Sequence, residues 1–448
     1  MKLNGKKILI LGYGITGISA AKTVIEHGAE VYIYDANFES IIAENKDAKI
    51  LDVKTVSSIQ EISQIKPDIT IKSPGIHPQN EFVLAAREYS GEVISDLELV
   101  YRLFGDRKII AITGTNGKTT TTTLVGEIIN NSKNVAHIAG NIGIGMLPVF
   151  EKNSPEDFYV IECSSFQLED TDLFRANISG ILNLSPDHLD WHGSYEAYKD
   201  AKLKIFRNAT NSDHIVLNLD DEFLSCIELN SDLNVLYFSK EKVLDRGIYV
   251  EDGSIIYDDG KKHRLMNVDE IPLLGKHNLE NVLMAIGICI SAKIDYHTIS
   301  DAVKNFKGVE HRIEFVREVQ GVKYYNDSKG TNVDATINAI KAFDNGVVLI
   351  AGGYDKKIEF DELIKSFDNK VEYLILFGET ATQIKKCAEK YGFTNIYMVD
   401  NMQEAVEKAY DLSTTGKSVL LSPACASWGM YKNFEQRGND FKDIVNSL

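Results

Sequence analysis

The residues best suited to chemistry lie between an apolar run and a threonine-rich helix. The run at 109–112 leads into the segment 113–120, Thr-Gly-Thr-Asn-Gly-Lys-Thr-Thr. Backbone N–H groups of such a glycine loop, and of the helix that follows it, point at phosphate oxygens. Lys118 adds a positive charge, and the hydroxyl of Thr119 suits a magnesium ion. The segment therefore predicts a cradle for nucleotide phosphates.

This loop departs from the common P-loop at one position. The usual pattern has a glycine six residues before the lysine, where this chain has Ile112. Gly114 must therefore make the tight turn. An ordinary strand-to-helix loop is the alternative interpretation, but the apolar run before the loop and the helix pattern after it favour the phosphate cradle.

Strand-like apolar runs alternate with helical patterns along almost the whole chain, which indicates parallel sheets wrapped by helices. We predict an α/β fold with three domains at 1–97, 98–309 and 310–448. The main predicted strands are 7–11, 31–34, 68–72, 109–112, 135–138, 158–161, 180–184, 214–219, 322–325, 347–351, 373–377 and 418–421. An Asp-Gly pair at 252–253 predicts a hairpin over 249–257, which we expect to be a small antiparallel appendage.

Composition excludes several classes of protein. The chain has 448 residues and 44% apolar content, which suffices for two or three buried cores. A formal net charge of −17 argues against a nucleic-acid surface. The five cysteines are scattered, without the spacing of a zinc site or a disulfide framework. No apolar stretch has the length of a signal peptide or a membrane span, so we expect a cytoplasmic protein without membrane insertion.

The first block carries a second glycine motif. Gly12, Gly14 and Gly17 follow a predicted strand, and Asp35 ends the next one. This spacing fits a dinucleotide fingerprint and, taken alone, suggests NAD. The same glycine turn would hold the pyrophosphate and ribose of any nucleotide, and an ATP-binding chain needs no nicotinamide unless it does redox chemistry. A nucleotide-linked substrate is therefore the preferred interpretation.

Polar residues follow most predicted strands, at the sheet edge where open parallel sheets bind ligands. Glu162 ends an apolar strand, where a metal ion would give a buried carboxylate a partner; a solvated loop carboxylate is the alternative. His188 and Lys202 would not be selected by spacing alone, since most such residues are structural or exposed. Asn278 and Asn281 could equally be helix caps, and Phe434 could be a core residue.

Six strings of this chain occur, in order, in a known family. They include 112–120, Glu162-Cys-Ser-Ser-Phe-Gln-Leu168, Asp187-His-Leu-Asp190, Gly275-Lys-His-Asn-Leu-Glu-Asn281 and Glu310-His-Arg312. With Gly140-Asn-Ile-Gly143, these strings resemble the Mur ligases over nearly the entire chain. The family also lacks the first P-loop glycine, so Ile112 is no obstacle.

The resemblance implies an ATP-dependent, amide-forming enzyme of peptidoglycan synthesis. Its domains would be Rossmann-like at the N-terminus, a P-loop domain in the centre and Rossmann-like at the C-terminus. The tail 422–438 is similar to that of the member that adds D-glutamate to UDP-N-acetylmuramoyl-L-alanine, and the Asp-Asn-Pro-Arg string of the diamino-acid-adding member is absent. The route would be an acyl phosphate, with ATP and Mg²⁺ required and only small molecules as partners of a monomer.

Residue roles follow from the same resemblance. The catalytic residues would be Lys118, His188 and Lys202, the last as a carbamate. The nucleotide contacts would be Gly114, Thr115, Asn116, Gly117, Lys118, Thr119, Thr120, Asn278, Asn281, Arg312 and Asp327. The magnesium ligands would be Thr119, Glu162, His188 and Lys202. The substrate contacts would be Ile15, Thr16, Asp35, Ser73, Pro74, Gly75, Asn141 and Gln167 for the UDP-linked acid, and Thr331, Lys356, Ser427 and Phe434 for D-glutamate.

Two rival interpretations remain open. A folylpolyglutamate synthase also attaches glutamate, but it usually has a further glycine after the loop lysine, where this chain has Thr119. A non-enzymatic nucleotide switch or NAD sensor would use the two glycine loops for binding alone. That second rival leaves Glu162, His188, Lys202 and Lys356 unexplained. Ala36 and Asn37 also lack the hydroxyl and basic side chains that some family members place on the uridine.

Overall fold

Strands and helices alternate along the described parts of the chain, and the strands form three sheets. The structure is a computed structural model that describes residues 1–45, 51–275, 277–344, 346–355 and 358–448. Two compact units can be separated: Met1–Ile271 with Leu279–Lys304, and Pro272–Asn278 with Asn305–Leu448. Within the described ranges, no helix is both long and apolar enough to cross a lipid bilayer.

The first sheet has five parallel strands in the order β3-β2-β1-β4-β5. Its strands are β1 (Lys7–Leu11), β2 (Glu30–Tyr34), β3 (Lys54–Thr55), β4 (Ile69–Lys72) and β5 (Val93–Ser95). The described helices of this part are α1 (Ile15–Glu26), α2 (Phe38–Glu44), α3 (Ile59–Ile65), α4 (Glu81–Tyr89) and α5 (Asp96–Phe104). Strand order reverses between β1 and β4, which places a crevice for a ligand at their carboxyl ends.

The second sheet, in the same compact unit, has nine strands in the order β14-β13-β12-β11-β10-β9-β6-β8-β7. Its strands are β6 (Lys108–Thr113), β7 (Ala136–Gly140), β8 (Phe158–Glu162), β9 (Ile178–Ile181), β10 (His214–Asn218), β11 (Asn234–Ser239), β12 (Gly247–Glu251), β13 (Ser254–Asp258) and β14 (Lys262–Asn267). The helices within this stretch are α6 (Lys118–Asn130), α7 (Met146–Lys152), α8 (Ser165–Glu169), α9 (Leu189–His192) and α10 (Tyr195–Leu203), followed along the chain by α11 (His277–Ser291) and α12 (Tyr296–Asn305).

The third sheet lies in the second compact unit and has the order β15-β16-β20-β17-β18-β19. Its strands are β15 (Glu314–Val319), β16 (Val322–Asn326), β17 (Val347–Ala351), β18 (Val371–Leu376), β19 (Ile396–Met398) and β20 (Ser418–Leu421). The helices are α13 (Val333–Lys341), α14 (Asp361–Lys365), α15 (Ala381–Lys390), α16 (Met402–Leu412) and α17 (Phe434–Ser447). All pairs are parallel except β15 with β16.

The central strands are continuous apolar runs because both faces of each sheet are covered. Every residue of β17 is buried, as are the last five of β6. A buried carboxylate joins α5 to the second sheet: Glu98 accepts backbone N–H groups from Asp172, Leu173 and Phe174 and pairs with Arg102. The first two sheets therefore share one packed unit, which fixes the carboxyl ends of their strands relative to each other.

The predicted α/β class is confirmed, and the predicted strands are present within a few residues of their bounds. The expected appendage at 249–257 is wrong in its placement. Its hairpin is present, but Phe238 of β11 pairs in parallel with Ile248 of β12, so the hairpin extends the central sheet. The predicted strand at 180–184 ends early, at Ile181, because Asn183 turns to accept N–H groups from the glycine loop instead.

Candidate active site

The glycine loop joins the end of β6 to the start of α6, as its sequence predicts. Gly117 has a φ of 82°, and a Cβ at this position would overlap Oδ1 of Asn281. The ammonium of Lys118 folds back over the loop and donates to the carbonyls of Gly114 (3.0 Å) and Thr115 (2.9 Å). The first N–H groups of a helix have no partner within the helix, so this end of α6 suits an anion.

Residues after β9 hold the loop in place. The N–H of Thr115 donates to the carbonyl of Asn183 (2.9 Å), and the N–H of Asn116 donates to the side-chain oxygen of Asn183 (2.9 Å). The hydroxyl of Thr115 lies 2.9 Å from that of Tyr198 on α10. Neither Asn183 nor Tyr198 is selected by sequence reasoning, because an asparagine after a strand and a tyrosine on a helix are both common. Their contacts hold the glycine loop in one conformation.

Glu162 ends β8 directly beside β6, with its backbone in register with Ile112. The side chain is buried, and the amide of Asn141 donates to Oε1 (3.3 Å). Its other oxygen, Oε2, has no hydrogen-bond partner among the described residues. A buried carboxylate oxygen without a donor is costly, and a hard cation would satisfy it. The donor set around Glu162 and the buried Thr119 hydroxyl on α6 therefore fits magnesium.

Lys202 is not the surface residue that its helix position suggests. Its side chain reaches from α10 under the loop, where the amine donates to Thr113 Oγ1 (3.1 Å) and the carbonyl of Gly114 (2.8 Å). The residue is 1% exposed. Burial, with the nearby charge of Lys118, holds the pKa of the Lys202 amine well below its usual range. A buried amine that is easily deprotonated is a nucleophile at neutral pH.

His188 lies in the loop after β9 with a φ of 50° and a half-exposed side chain. Its ring centroid is 4.8 Å from that of Phe166. No group of three or more His, Cys, Asp or Glu side chains is arranged to hold a metal ion in the part of the chain that the structure describes. The ligand set Thr119, Glu162, His188 and Lys202 includes only two residues of these types, and it stays a prediction.

The first sheet places its predicted substrate residues at the crevice between β1 and β4. The hydroxyl of Ser73 donates to the carbonyl of Gly12 (3.1 Å), which brings the two loops together. Ile15 is 78% exposed at the start of α1, although it is a large apolar residue. Thr16 follows it, and Pro74 and Gly75 follow Ser73. Ile15 lies at the switch point where open parallel sheets bind ligands, and its contact with a substrate stays a prediction.

Asp35 stabilises the loops at this crevice. Its two carboxylate oxygens accept N–H groups from Tyr13 (2.6 Å) and Asn37 (2.8 Å). In a dinucleotide site the corresponding acid accepts from the ribose hydroxyl. Each oxygen keeps a further lone pair, so Asp35 can hold both backbone loops and still accept a ribose hydroxyl. The role of Asp35 in binding uridine stays a prediction.

Gln167 lies beneath the site. Its side-chain oxygen accepts the N–H of Ser164 (3.1 Å) in a capping box that begins α8, and its amide donates to both oxygens of Asp96 (3.3 and 3.2 Å). Gln167 is 4% exposed. Its predicted substrate contact stays untested, but its visible function is to order the turn after Glu162. Asn141, in contrast, reaches Glu162 directly.

Burial raises the pKa of Asp96 to about 6, which makes stability depend on pH. The pKa of Asp96 is higher in the folded state than in the unfolded state, so protonated Asp96 contributes to the free energy of unfolding. This contribution is fully present below pH ~4 and is lost as pH rises through about 6. We expect the unfolding free energy of the wild type to fall with pH relative to that of Asp96→Asn, by at most ~1.4 kcal/mol per pH unit. Urea unfolding from pH 5 to 8, followed by Trp191 fluorescence in a Trp428→Phe background, measures this difference; parallel curves would contradict it.

The second compact unit carries the remaining candidates. Asp327, after β16, is buried and accepts the hydroxyl of Ser422 (2.6 Å) and the N–H of Ile313 (3.3 Å). Burial raises the pKa of Asp327 to about 7, and the nearby Arg312 opposes this shift. Arg312 itself is exposed.

Three D-glutamate candidates lie at the carboxyl edge of the third sheet. They are Thr331 after β16, the buried Ser427 after β20 and the half-buried Phe434 at the start of α17. Lys356 lies outside the described residues. Asn278, at the start of α11, donates its amide to the carbonyl of Leu274 within the same unit. These assignments stay predictions. Sequence reasoning did not select Arg437, which is buried although its helix position resembles an ordinary surface site.

Two family models and full-length curated relatives match this chain. The family model described as the Mur ligase middle domain matches residues 112–289, and the model described as the Mur ligase glutamate ligase domain matches residues 311–425. Two curated relatives are the UDP-N-acetylmuramoylalanine–D-glutamate ligases of Clostridioides difficile strain 630, 45% identical, and Caldanaerobacter subterraneus subsp. tengcongensis, 44% identical. Both alignments cover 100% of this chain and 100% of the relative.

Solved structures give the same architecture. The UDP-N-acetylmuramate-alanine ligase from Thermotoga maritima is 21% identical, with a TM-score of 0.57 and 99% of each chain covered. At this identity the likeness supports the fold alone. The full-length match to curated relatives, together with both family models, goes further: the chain belongs to the Mur ligase family.

Proposed function

We propose that this chain is an ATP-dependent ligase that adds D-glutamate to UDP-N-acetylmuramoyl-L-alanine through an acyl phosphate, releasing ADP and phosphate. The observation that carries the proposal is the convergence of three groups at the ends of β6 and β8. These are the loop lysine Lys118, the buried carboxylate of Glu162 with its unsatisfied oxygen, and the buried amine of Lys202. The full-length curated relatives bear the name of this activity.

The loop would serve the first chemical step. A carboxylate is a poor acyl donor, so its oxygen must be converted to a phosphate leaving group before an amine attacks. Two anions approach each other in that step, and positioned cationic and N–H groups offset their repulsion. The transferred phosphoryl group would contact the N–H groups at the start of α6. Lys118 would also contact it, after its ammonium leaves the carbonyls of the loop.

Thr119 and Glu162 would hold one magnesium ion, and His188 and a carbamate on Lys202 would hold a second. Bound magnesium neutralises phosphate charge as the phosphoryl group moves. A neutral buried amine is the form that adds carbon dioxide, and the lowered pKa of Lys202 favours that form. Carbamylation would replace a cation by oxygen ligands, which magnesium prefers.

Binding of the three substrates would be divided among the loops. Ile15, Thr16, Asp35 and 73–75 would hold the uridine diphosphate, with Asn141 and Gln167 near the muramoyl group. Asn278, Asn281, Arg312 and Asp327 would contact the nucleotide. Thr331, Lys356, Ser427 and Phe434 would bind D-glutamate, whose two carboxylates need cationic or N–H partners in a chain of net charge −17.

The remaining expectations belong to the same proposal. We place domain boundaries at 97/98 and 309/310, so that each of the three sheets has a domain of its own. The enzyme would act as a monomer in the cytoplasm, in peptidoglycan precursor synthesis, with small molecules as its only partners. Size-exclusion chromatography with light scattering tests the monomer directly, since a dimer would double the mass of 50.0 kDa.

A phosphate-release assay tests the proposed reaction. We expect release only when ATP, UDP-N-acetylmuramoyl-L-alanine and D-glutamate are all present, because acyl transfer needs both the acid and the amine. L-glutamate with a folate is the control that represents the folylpolyglutamate alternative. Phosphate release that does not depend on the muramoyl compound, or no turnover at all, would contradict the proposal and favour one of the two rival interpretations.

A further inference from the structure

A buried arginine in the second compact unit has no assigned role. Arg437 lies on the first turn of α17 and is 1% exposed, the bulkiest of the fully buried side chains. A guanidinium stays charged in proteins, so burying one without a carboxylate is costly and needs a compensating contact. Among the described residues, each hydrogen bond that Arg437 donates ends on an uncharged oxygen.

These bonds tie together the loops that follow neighbouring strands. Nε donates to Ser328 Oγ (3.0 Å) and Nη2 to the Ser328 carbonyl (2.9 Å), in the loop after β16. Nη1 donates to the carbonyl of Cys425 (3.1 Å), in the loop after β20. The hydroxyl of Ser328 in turn donates to the carbonyl of Phe434 (2.8 Å), at the start of α17.

A third loop also approaches the guanidinium. A Cβ built on Gly353, after β17, would overlap the carbonyl oxygen of Ala426 and lie 3.3 Å from Nη1 of Arg437, so the glycine lets this loop lie close to both. The strands β16, β20 and β17 are adjacent in the sheet. One side chain therefore donates to the loops after two neighbouring strands, β16 and β20, lies close to the loop after β17, and is linked through Ser328 to the start of a helix.

The loops that Arg437 holds lead directly to the proposed D-glutamate residues. Thr331 is three residues after Ser328, Ser427 is two residues after Cys425, and Phe434 is one helical turn before Arg437. We propose that Arg437 is the positioning residue of the D-glutamate site. It fixes the loops that present Thr331, Ser427 and the Phe434 backbone, and its buried positive charge attracts the two carboxylates of the amino acid. This inference rests on the proposed function.

The charge argument is physical. The chain carries a net charge of −17, so an acidic amino acid is repelled unless a local cation opposes that field. The carboxyl of Asp327 is among the groups whose charge acts on Arg437, and burial raises the pKa of Asp327 to about 7, so burial disfavours its charged form. A cation beneath the loops, screened little because it is buried, then acts on carboxylates bound above it.

Steady-state kinetics on Arg437→Lys and Arg437→Met test the inference, with each substrate varied while the other two saturate. We expect KM for D-glutamate to rise about tenfold in Arg437→Lys, because lysine keeps the positive charge but lacks the planar guanidinium that donates to both loops. In Arg437→Met, which also removes the charge, we expect a rise of about a hundredfold. KM for ATP and for UDP-N-acetylmuramoyl-L-alanine should stay within about twofold. The matched control is Lys442→Met on the same helix, which removes a cation paired with Glu310 and Glu314 and should leave all three KM values unchanged.

The outcomes separate cleanly. If the Arg437 variants raise all three KM values alike, or lower kcat with KM for D-glutamate unchanged, Arg437 only stabilises the fold and the inference is overturned. If Arg437→Met does not fold, Arg437→Lys decides by the same comparison. A wild type without D-glutamate-dependent turnover overturns the proposed function and the inference with it, whereas an active wild type beside unaffected variants overturns the inference alone.

Discussion

Replacing Lys118 by alanine should reduce the D-glutamate-dependent turnover number about a thousandfold. The side chain supplies the one positive charge within the glycine loop, next to the helix end where the transferred phosphoryl group would lie. Loss of a preorganised cation that acts on developing charge is expected to lower kcat more than it raises KM. Phosphate release under saturating substrates measures the effect.

The control for this change is Lys108→Ala. Lys108 begins the same strand, β6, but its ammonium is exposed at the opposite end and pairs with Glu156. An exposed ion pair contributes little, so the activity of Lys108→Ala should match that of the wild type. If the Lys118→Ala protein folds and retains the wild-type turnover number, the loop is not the phosphate cradle and the proposed reaction fails.

The second large effect is expected at Lys202. Lys202→Ala should lose activity about a thousandfold, because the amine is removed from the base of the loop and its carbamate can no longer form. The deletion leaves a buried space where a small acid can place its oxygens. Acetate or formate at millimolar concentration should therefore restore part of the turnover in the variant, while leaving the wild type unchanged.

A neighbouring lysine provides the matched control. Lys199 lies on the same helix, where its ammonium rests over the rings of Tyr195 and Phe223 at 4.6 and 4.4 Å. Lys199→Ala should keep most of its activity and gain nothing from acetate. Two results would count against a carbamate on Lys202: full activity in Lys202→Ala, or a loss that added carboxylates do not relieve.

Periodicity and motif predicted the skeleton of this protein well, since the strands that matter are long apolar runs. β17 and β20 coincide with their predicted ranges, and α6 begins at Lys118, as the glycine loop requires. The hairpin at 249–257 was predicted from its turn but misplaced. Turn residues fix a local conformation, whereas the pairing of Phe238 with Ile248 is a long-range contact that no local pattern reports.

The site shows a similar division. Residue types and their positions at strand ends located Lys118 and Glu162, but they could not reveal that Lys202 is buried, because burial of a helix lysine depends on what packs over it. Composition also gave no reason to select Arg437, since its partners at Ser328 and Cys425 are about a hundred residues and a dozen residues away along the chain. Both emerge only from the tertiary structure.

The strand that ends the nine-stranded sheet bears on self-association. Among the described residues, β14 has a neighbouring strand on one side only, and such an edge is a template for pairing with another molecule. Lys262, His263 and Arg264 lie on it in succession. Two copies that approached edge to edge would bring these basic side chains against each other, so the chain carries its own deterrent to aggregation through this strand.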